Sequence, residues 1–348
     1  VSYIKVSPDD GGGPPMAKNS WFGYSISRLG DLNEDGVEDL LVGAYGESYY
    51  SAYSATVSKA AGAAYILFMT KNFTVQSYTR LSGERKVISE APAVSLVNNA
   101  NFGFSVANVG DLDGDGVTDI AVGAPGTYVG AVYIIFLHRN GTMKRDPVMI
   151  REGHGNGPPQ TYQGRFGSTV ATIGDFDGDG IPDLAATAGD AAAGSSKLYI
   201  LLMLRDGTVR SYSIIGFGVG GGPAFENQFT NFGSSIVSLG DLDRDNVTDI
   251  AIGARFNTDP GGEESSGGIY ICFMHANGTI KSFVKHGDFT KSWMPSLSAG
   301  DQFGQSVSGY TDADGNEILD FIIGAPGDDV DRFNNLTDTG AIYLMFVE

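Results

Sequence analysis

This sequence predicts an all-β chain, a β-propeller of four-stranded blades, and three observations predict it. Five Phe-Gly pairs begin at Phe22, Phe102, Phe166, Phe232 and Phe303. Nine residues after each Phe, without a gap in any copy, stands an Asp that opens an acidic loop. Beyond each loop the chain repeats one order of apolar strand, Gly-Ala turn, variable loop, Tyr-centred strand and hairpin. Four strands per unit at a period of about 70 residues is the signature of a propeller blade.

Within a unit the Phe-Gly pair starts the first strand, expected nearest the axis. The acidic loop runs into the second strand, as at Asp119-Ile120-Ala121-Val122, which ends in a turn of the type Gly123-Ala124-Pro125-Gly126. A third strand is centred on Tyr65, Tyr133, Tyr199, Tyr270 or Tyr343. In the second unit it reads VYIIFL, apolar without alternation, which predicts cover on both faces. Asn140-Gly141, Asp206-Gly207 and Asn277-Gly278 are strong hairpin signals. A more polar strand, such as Thr208 to Ile214, closes the unit. One blade cannot bury both of its faces, so blades must stack.

Five units predict five blades in a single domain over residues 1–348, with a fragment of a longer array as the competing reading. The last unit reaches Glu348 after its third strand, while Val1–Val6 resembles the fourth strand at Val209 to Ile214. The N-terminal strand is therefore expected to complete the last blade, pairing with the Tyr343 strand and hiding edges that an open sheet exposes.

The acidic loops read DLNEDGVED, DLDGDGVTD, DFDGDGIPD, DLDRDNVTD and DADGNEILD. Side-chain oxygens fall at positions one, three, five and nine, with a backbone carbonyl expected at seven. The candidate ligands in the first loop are Asp31, Asn33, Asp35, Val37 and Asp39, and in the second Asp111, Asp113, Asp115, Val117 and Asp119. The third offers Asp175, Asp177, Asp179, Ile181 and Asp183, and the fourth Asp241, Asp243, Asp245, Val247 and Asp249. The fifth offers Asp312, Asp314, Asn316, Ile318 and Asp320. Alternating oxygens on a tight loop suit a hard cation that takes six to eight of them, and Gly at position six permits the turn. The twelfth position is apolar in every copy, so the bidentate Glu of an EF-hand is missing and position nine closes the loop instead. The expected cofactor is structural Ca²⁺, up to five ions. Asp, Asn and Gly gather in any turn, but five loops in one register need more than turn chemistry.

The formal net charge is −19, and eighteen Asp of the loops account for much of it. Such a balance excludes nucleic-acid and anionic-membrane partners, which need clustered Lys and Arg. The loops are read as lacking basic partners, so that empty they repel themselves. Scarce cytosolic calcium then points to an extracellular or cell-surface location. No apolar run approaches the ~20 residues of a membrane span. Cys272 is the single cysteine, placed in an apolar strand and expected to be a buried structural thiol.

The Phe-Gly pairs, acidic loops and Gly-Ala-Pro turns at Gly123 and Gly324 resemble the FG-GAP repeats of the integrin α-subunit propeller and of microbial integrin-like surface proteins. The turns depart from the pattern at Tyr45, at Thr187-Ala188-Gly189 and at Gly253-Ala254-Arg255. Integrins carry seven repeats where this chain shows five. The resemblance implies calcium loops on one face and a partner, protein or glycan, on the opposite face. Tyr49, Tyr50 and Tyr53 in the first variable loop and Trp293 before Phe303 are the candidate contacts, since exposed aromatics anchor proteins and sugars. The function expected is adhesion or recognition; a structural spacer and a carbohydrate-active enzyme are the alternatives. His138, His154, His275 and His286 show no nucleophile–base spacing, so no catalytic residue is assigned. Asn-X-Thr sites at Asn72, Asn140, Asn246, Asn277 and Asn335 admit glycosylation, with hairpin turns equally explaining Asn140 and Asn277.

Overall fold

The computed structural model describes residues 3–51, 56–83, 94, 96–126, 129–160, 164–189, 196–224, 230–258, 265–287, 297–309, 315, 320–328 and 339–346. All regular structure among them is strand. Blade 1 holds β1 (Phe22–Gly30), β2 (Asp39–Ala44), a small hairpin of β3 (Tyr49–Ser51) and β4 (Thr56–Ser58), then β5 (Ala63–Met69) and β6 (Val75–Ser82). Blade 2 holds β7 (Ser105–Gly110), β8 (Asp119–Gly123), β9 (Val132–Ile135) and β10 (Val148–Ile150). Blade 3 holds β11 (Val170–Gly174), β12 (Asp183–Gly189), β13 (Ser196–Met203) and β14 (Val209–Ile215). Blade 4 holds β15 (Phe232–Gly240), β16 (Asp249–Ala254), β17 (Ile269–Met274) and β18 (Ile280–His286). Blade 5 holds β19 (Ser306–Gly309), β20 (Phe321–Ala325) and β21 (Ala341–Met345).

The fold is the expected all-β propeller of five antiparallel blades, each sheet taking its strands in chain order. Blades 1 to 4 have four strands, and blade 5 has three among the described residues. By compactness the chain divides into Val1–Ala171 with Met203–Arg210, and Thr172–Leu202 with Ser211–Glu348. In the first unit one apolar cluster joins blades 1 and 2, with Leu41, Ile66, Phe102, Val122 and Tyr133 buried together. In the second, Ala251, Ile271, Phe303, Phe321 and Ile323 join blades 4 and 5. Sheets covered on both faces explain why β9 and β17 read as unbroken apolar runs. Cys272 is buried in β17, and burial pushes its thiol well above the ordinary range.

The Phe-Gly pair ties one blade to the next. Phe22, Phe102, Phe232 and Phe303 each pack edge-on against the central Tyr of their own blade, at centroid distances of 5.6, 5.5, 5.5 and 5.2 Å. Such pairs add about 0.5–1.5 kcal/mol beyond burial. The backbone N–H of Phe102, Phe166 and Phe303 donates to Ala61, Val129 and Ser266 in the preceding blade. The following Gly then lies against the Gly of the neighbour's Gly-Ala turn. A Cβ on Gly43, Gly123 or Gly253 would stand 2.0 Å from the carbonyl oxygen of Gly103, Gly167 or Gly304. No side chain fits there. Gly123→Ala is expected to cost about 2 kcal/mol through the clash forced on the Gly167 carbonyl, read as a lower urea midpoint at unchanged m-value.

The pairing expected between Val1–Val6 and the Tyr343 strand is not found among the described residues. Residues 3–6 join no sheet, and β21 pairs with β20 alone. The segment is held by blade 1 instead. Val6 and Met16 pack on the cluster of Val42, Tyr65, Leu67 and Val75, and the Val75 N–H donates to the Gly11 carbonyl at 2.8 Å. Gly155 accepts from Val209 and Gly220 from Ile280 in the same way, each Gly following a fourth strand. Residues 7–13 thus repeat the exit of a fourth strand although residues 3–6 form none.

Candidate metal centres

Each acidic loop leaves the first strand of its blade and enters the second, so strand pairing closes the loop at its base. Gly30 pairs with Asp39, Gly110 with Asp119 and Gly240 with Asp249. Inside the loop the Asp at position one accepts backbone N–H groups from positions five and six. For Asp111 these come from Asp115 at 2.9 Å and Gly116 at 2.8 Å; Asp31, Asp175 and Asp241 do the same. Position five accepts from the N–H of position seven in all four loops. Position six takes a positive φ, at Gly36, Gly116, Gly180 and Asn246. Position four does too, at Glu34, Gly114, Gly178, Arg244 and Gly315, a requirement that the sequence reading did not draw from its three glycines.

Position nine is the buried end of the loop. Asp39, Asp119, Asp183, Asp249 and Asp320 are at most 2% exposed. The Asp119 carboxylate accepts the N–H groups of Leu112 and Leu137, and that of Asp249 those of Leu242 and Met274. One acid therefore fixes its own loop and the end of the third strand together. Burial pushes the Asp119 carboxyl up to about 7; Asp113 and Asp115 add to the rise, and the two backbone donors oppose it. Asp39 and Asp249 are raised for the same leading reason.

Among the described residues three loops bring acidic oxygens within 4.8 Å of one another: Asp111, Asp113 and Asp115; Asp175, Asp177 and Asp183; Asp241, Asp243 and Asp249. In the second loop Asp113 Oδ1 is buried without a hydrogen-bond partner. An orphaned carboxylate oxygen among converging acids fits a hard divalent cation, which supplies the charge that such a site needs. The side chains at position seven serve packing: Val117, Ile181 and Val247 are buried, and Val37 lies against the blade 1 core. In the fifth loop Asp312, Asp314, Asn316 and Ile318 lie outside the described residues.

The reading of loops without basic partners is corrected by the structure. Lys144 on blade 2 donates to Asp113 at 2.8 Å and also to Asp115. Lys281 on blade 4 reaches Asp243 at 2.7 Å and Asp245 at 2.5 Å. These hydrogen bonds hold the Asp115 and Asp245 carboxyls below their usual range and raise Lys144 to about 12. The signal was in the sequence: both lysines follow the Gly of an Asn-Gly-Thr hairpin by three residues. Asn140 and Asn277 serve these hairpins, each accepting from both the N–H and the hydroxyl of the Thr two residues on.

At the other end of β2 stands the turn at Tyr45, followed by β3. Tyr49 and Tyr50 pair by backbone with Ser58 and Val57. Their side chains, Tyr53 and Trp293 lie outside the described residues. The sequence reading missed two arrangements here. Glu47 is buried, accepts the Tyr65 hydroxyl at 2.6 Å and pairs with Arg80 at 2.7 Å. Trp21 is 60% exposed and stacks on Tyr45, while Tyr24 and Phe104 meet the same Tyr45 ring edge.

The FG-GAP repeat family matches residues 22–67, 102–135, 166–201 and 232–272. The chain is 30% identical over 257 residues to integrin alpha-V of Gallus gallus, covering 70% of this chain and 22% of that protein. It is 27% identical over 304 residues to integrin alpha-8 of Gallus gallus, covering 83% of this chain and 25% of that protein. A phosphatidylinositol-glycan-specific phospholipase D of Bos taurus is 30% identical over 196 residues, covering 53% of this chain and 22% of that protein. The chain spans about a quarter or less of the length of these relatives.

Proposed function

We propose, from the premise that this chain is an FG-GAP repeat protein resembling the integrin α-subunit propeller, that it is an extracellular, calcium-dependent recognition module without catalytic activity. One observation carries the reading. In blade 1 the acidic loop and the Tyr45 turn stand at opposite ends of β2, which supports a separation of ion binding from partner contact. Calcium is held by positions one, three, five and nine of each loop, with the carbonyls of Val37, Val117, Ile181, Val247 and Ile318 as further donors. When bound it supplies charge neutralisation. The loops' own residues fix the turn through backbone hydrogen bonds and anchor it to the third strand. The 348 residues act as one domain.

A protein or glycan partner then docks at Tyr49, Tyr50 and Tyr53 in the first variable loop, with the Trp293 loop as the next candidate. The test is a glycan and protein array screen followed by affinity measurement on the Tyr49→Ala/Tyr50→Ala/Tyr53→Ala variant. Binding is expected to fall at least tenfold, about 1.4 kcal/mol, with the melting temperature nearly unchanged. Full affinity in that variant removes the site from this loop. The phospholipase relative raises an enzymatic reading; phosphodiester hydrolysis by the purified chain would establish it in place of pure recognition.

A further inference from the structure

We propose that Lys144 and Lys281 are built-in cationic competitors of the metal loops in blades 2 and 4, which weaken calcium binding there and keep those loops closed when calcium is low. The inference rests on the calcium reading above and concerns the regulation of the same loops.

The two lysines occupy equivalent positions after the hairpin, Lys281 on β18 and Lys144 ahead of β10, and each ammonium joins the carboxylates at positions three and five of its own blade's loop. Those are oxygens that a cation in the loop needs. The ammonium and the ion therefore share ligands, and a charge held within hydrogen-bond reach of them opposes a second positive charge at short range. Without the ion, the same ammonium relieves repulsion that a loop of three or four acids otherwise meets alone. Lys144 and Lys281 are about 30% exposed, so each can swing outward on its flexible stem as the ion enters.

Blade 1 supplies the contrast. Gln76 holds the equivalent position on β6, carries no charge and is exposed. There the Asn33 amide donates to Asp35 at 2.9 Å, a neutral group doing part of what the ammonium does elsewhere. Blade 3 has Arg210 at this position, a planar cation of different reach. At positions three and five the loops are thus graded in sequence by one residue that lies outside every acidic motif; Arg139 pairs with Glu34, at position four of the first loop, and not with a candidate ligand. Calcium filling proceeds in order, blade 1 before blades 2 and 4.

The experiment uses the full chain, stripped with chelator and titrated calorimetrically with calcium chloride alone. Three proteins are compared: the natural chain, Lys144→Met/Lys281→Met, and Gln76→Lys. The double variant is expected to bind its weaker class of ions about tenfold more tightly, and to melt roughly 2 °C lower in excess chelator. Gln76→Lys is expected to do the reverse, weakening the tightest site and raising the melting temperature in chelator. A common melting temperature in saturating calcium shows that all three are folded. If the natural chain binds calcium and neither variant changes the isotherm or the chelator melting point, the lysines are ordinary surface partners and the proposal falls alone. If no protein takes up calcium, the calcium reading itself fails and takes this one with it.

Discussion

Excess chelator lowers the melting temperature of this protein by roughly 20 °C, and added calcium restores it. The expectation follows from the loops. A ligand that binds the folded state stabilises it by about 2.7 kcal/mol per site at a hundred times its dissociation constant. Even four of the five sites at that occupancy amount to roughly 11 kcal/mol, comparable to the whole stability of a typical domain. The loops of blades 2 and 4 contribute less, since Lys144 and Lys281 already neutralise part of their charge. Magnesium at equal concentration is expected to restore less, because it demands a smaller octahedron and gives up its waters reluctantly. Differential scanning calorimetry after prolonged chelation decides it. An unchanged melting temperature would reduce the loops to ordinary turns.

Much of this was legible in the sequence because each feature answered to one local rule. The Phe-Gly pair marked the start of a blade, since the Phe must meet the Tyr of its own sheet and the Gly must pass the neighbour's turn. Position nine was legible as the closing acid because the chain there enters a strand. What escaped depends on contacts between distant segments. Lys144 reads as an isolated polar residue until the fold brings it to Asp113, 31 residues earlier. Glu47 reads as a loop acid until Tyr65 and Arg80 enclose it. The N-terminal strand is expected from the likeness of Val1–Val6 to Val209–Ile214, and the structure repeats the turn that follows, residues 7–13, where the same hydrogen bond recurs. Among the described residues, 3–6 make no ladder, so that part of the expectation has no counterpart there.

The second large effect separates the structural acid of the loop from the ion-facing one. Asp119→Ala is expected to destabilise the protein by about 3 kcal/mol even in excess chelator, because it removes the acceptor from two buried backbone N–H groups. Those groups, on Leu112 and Leu137, lie inside the blade 2 core where water cannot replace the lost partner. Asp113→Ala removes one arm of a partly exposed ion pair with Lys144. It is expected to cost at most about 1 kcal/mol in chelator, the scale of such pairs. In saturating calcium both costs grow. Asp113→Ala then also loses much of the binding free energy of its site, whereas Asp119→Ala adds that loss to a defect already present. Urea midpoints of both variants, each with and without calcium, give the four numbers required. The decisive one is Asp119→Ala in chelator. Stability equal to that of the parent chain there would mean that position nine matters through the ion alone, and that the loop is not anchored to the third strand by its buried carboxylate.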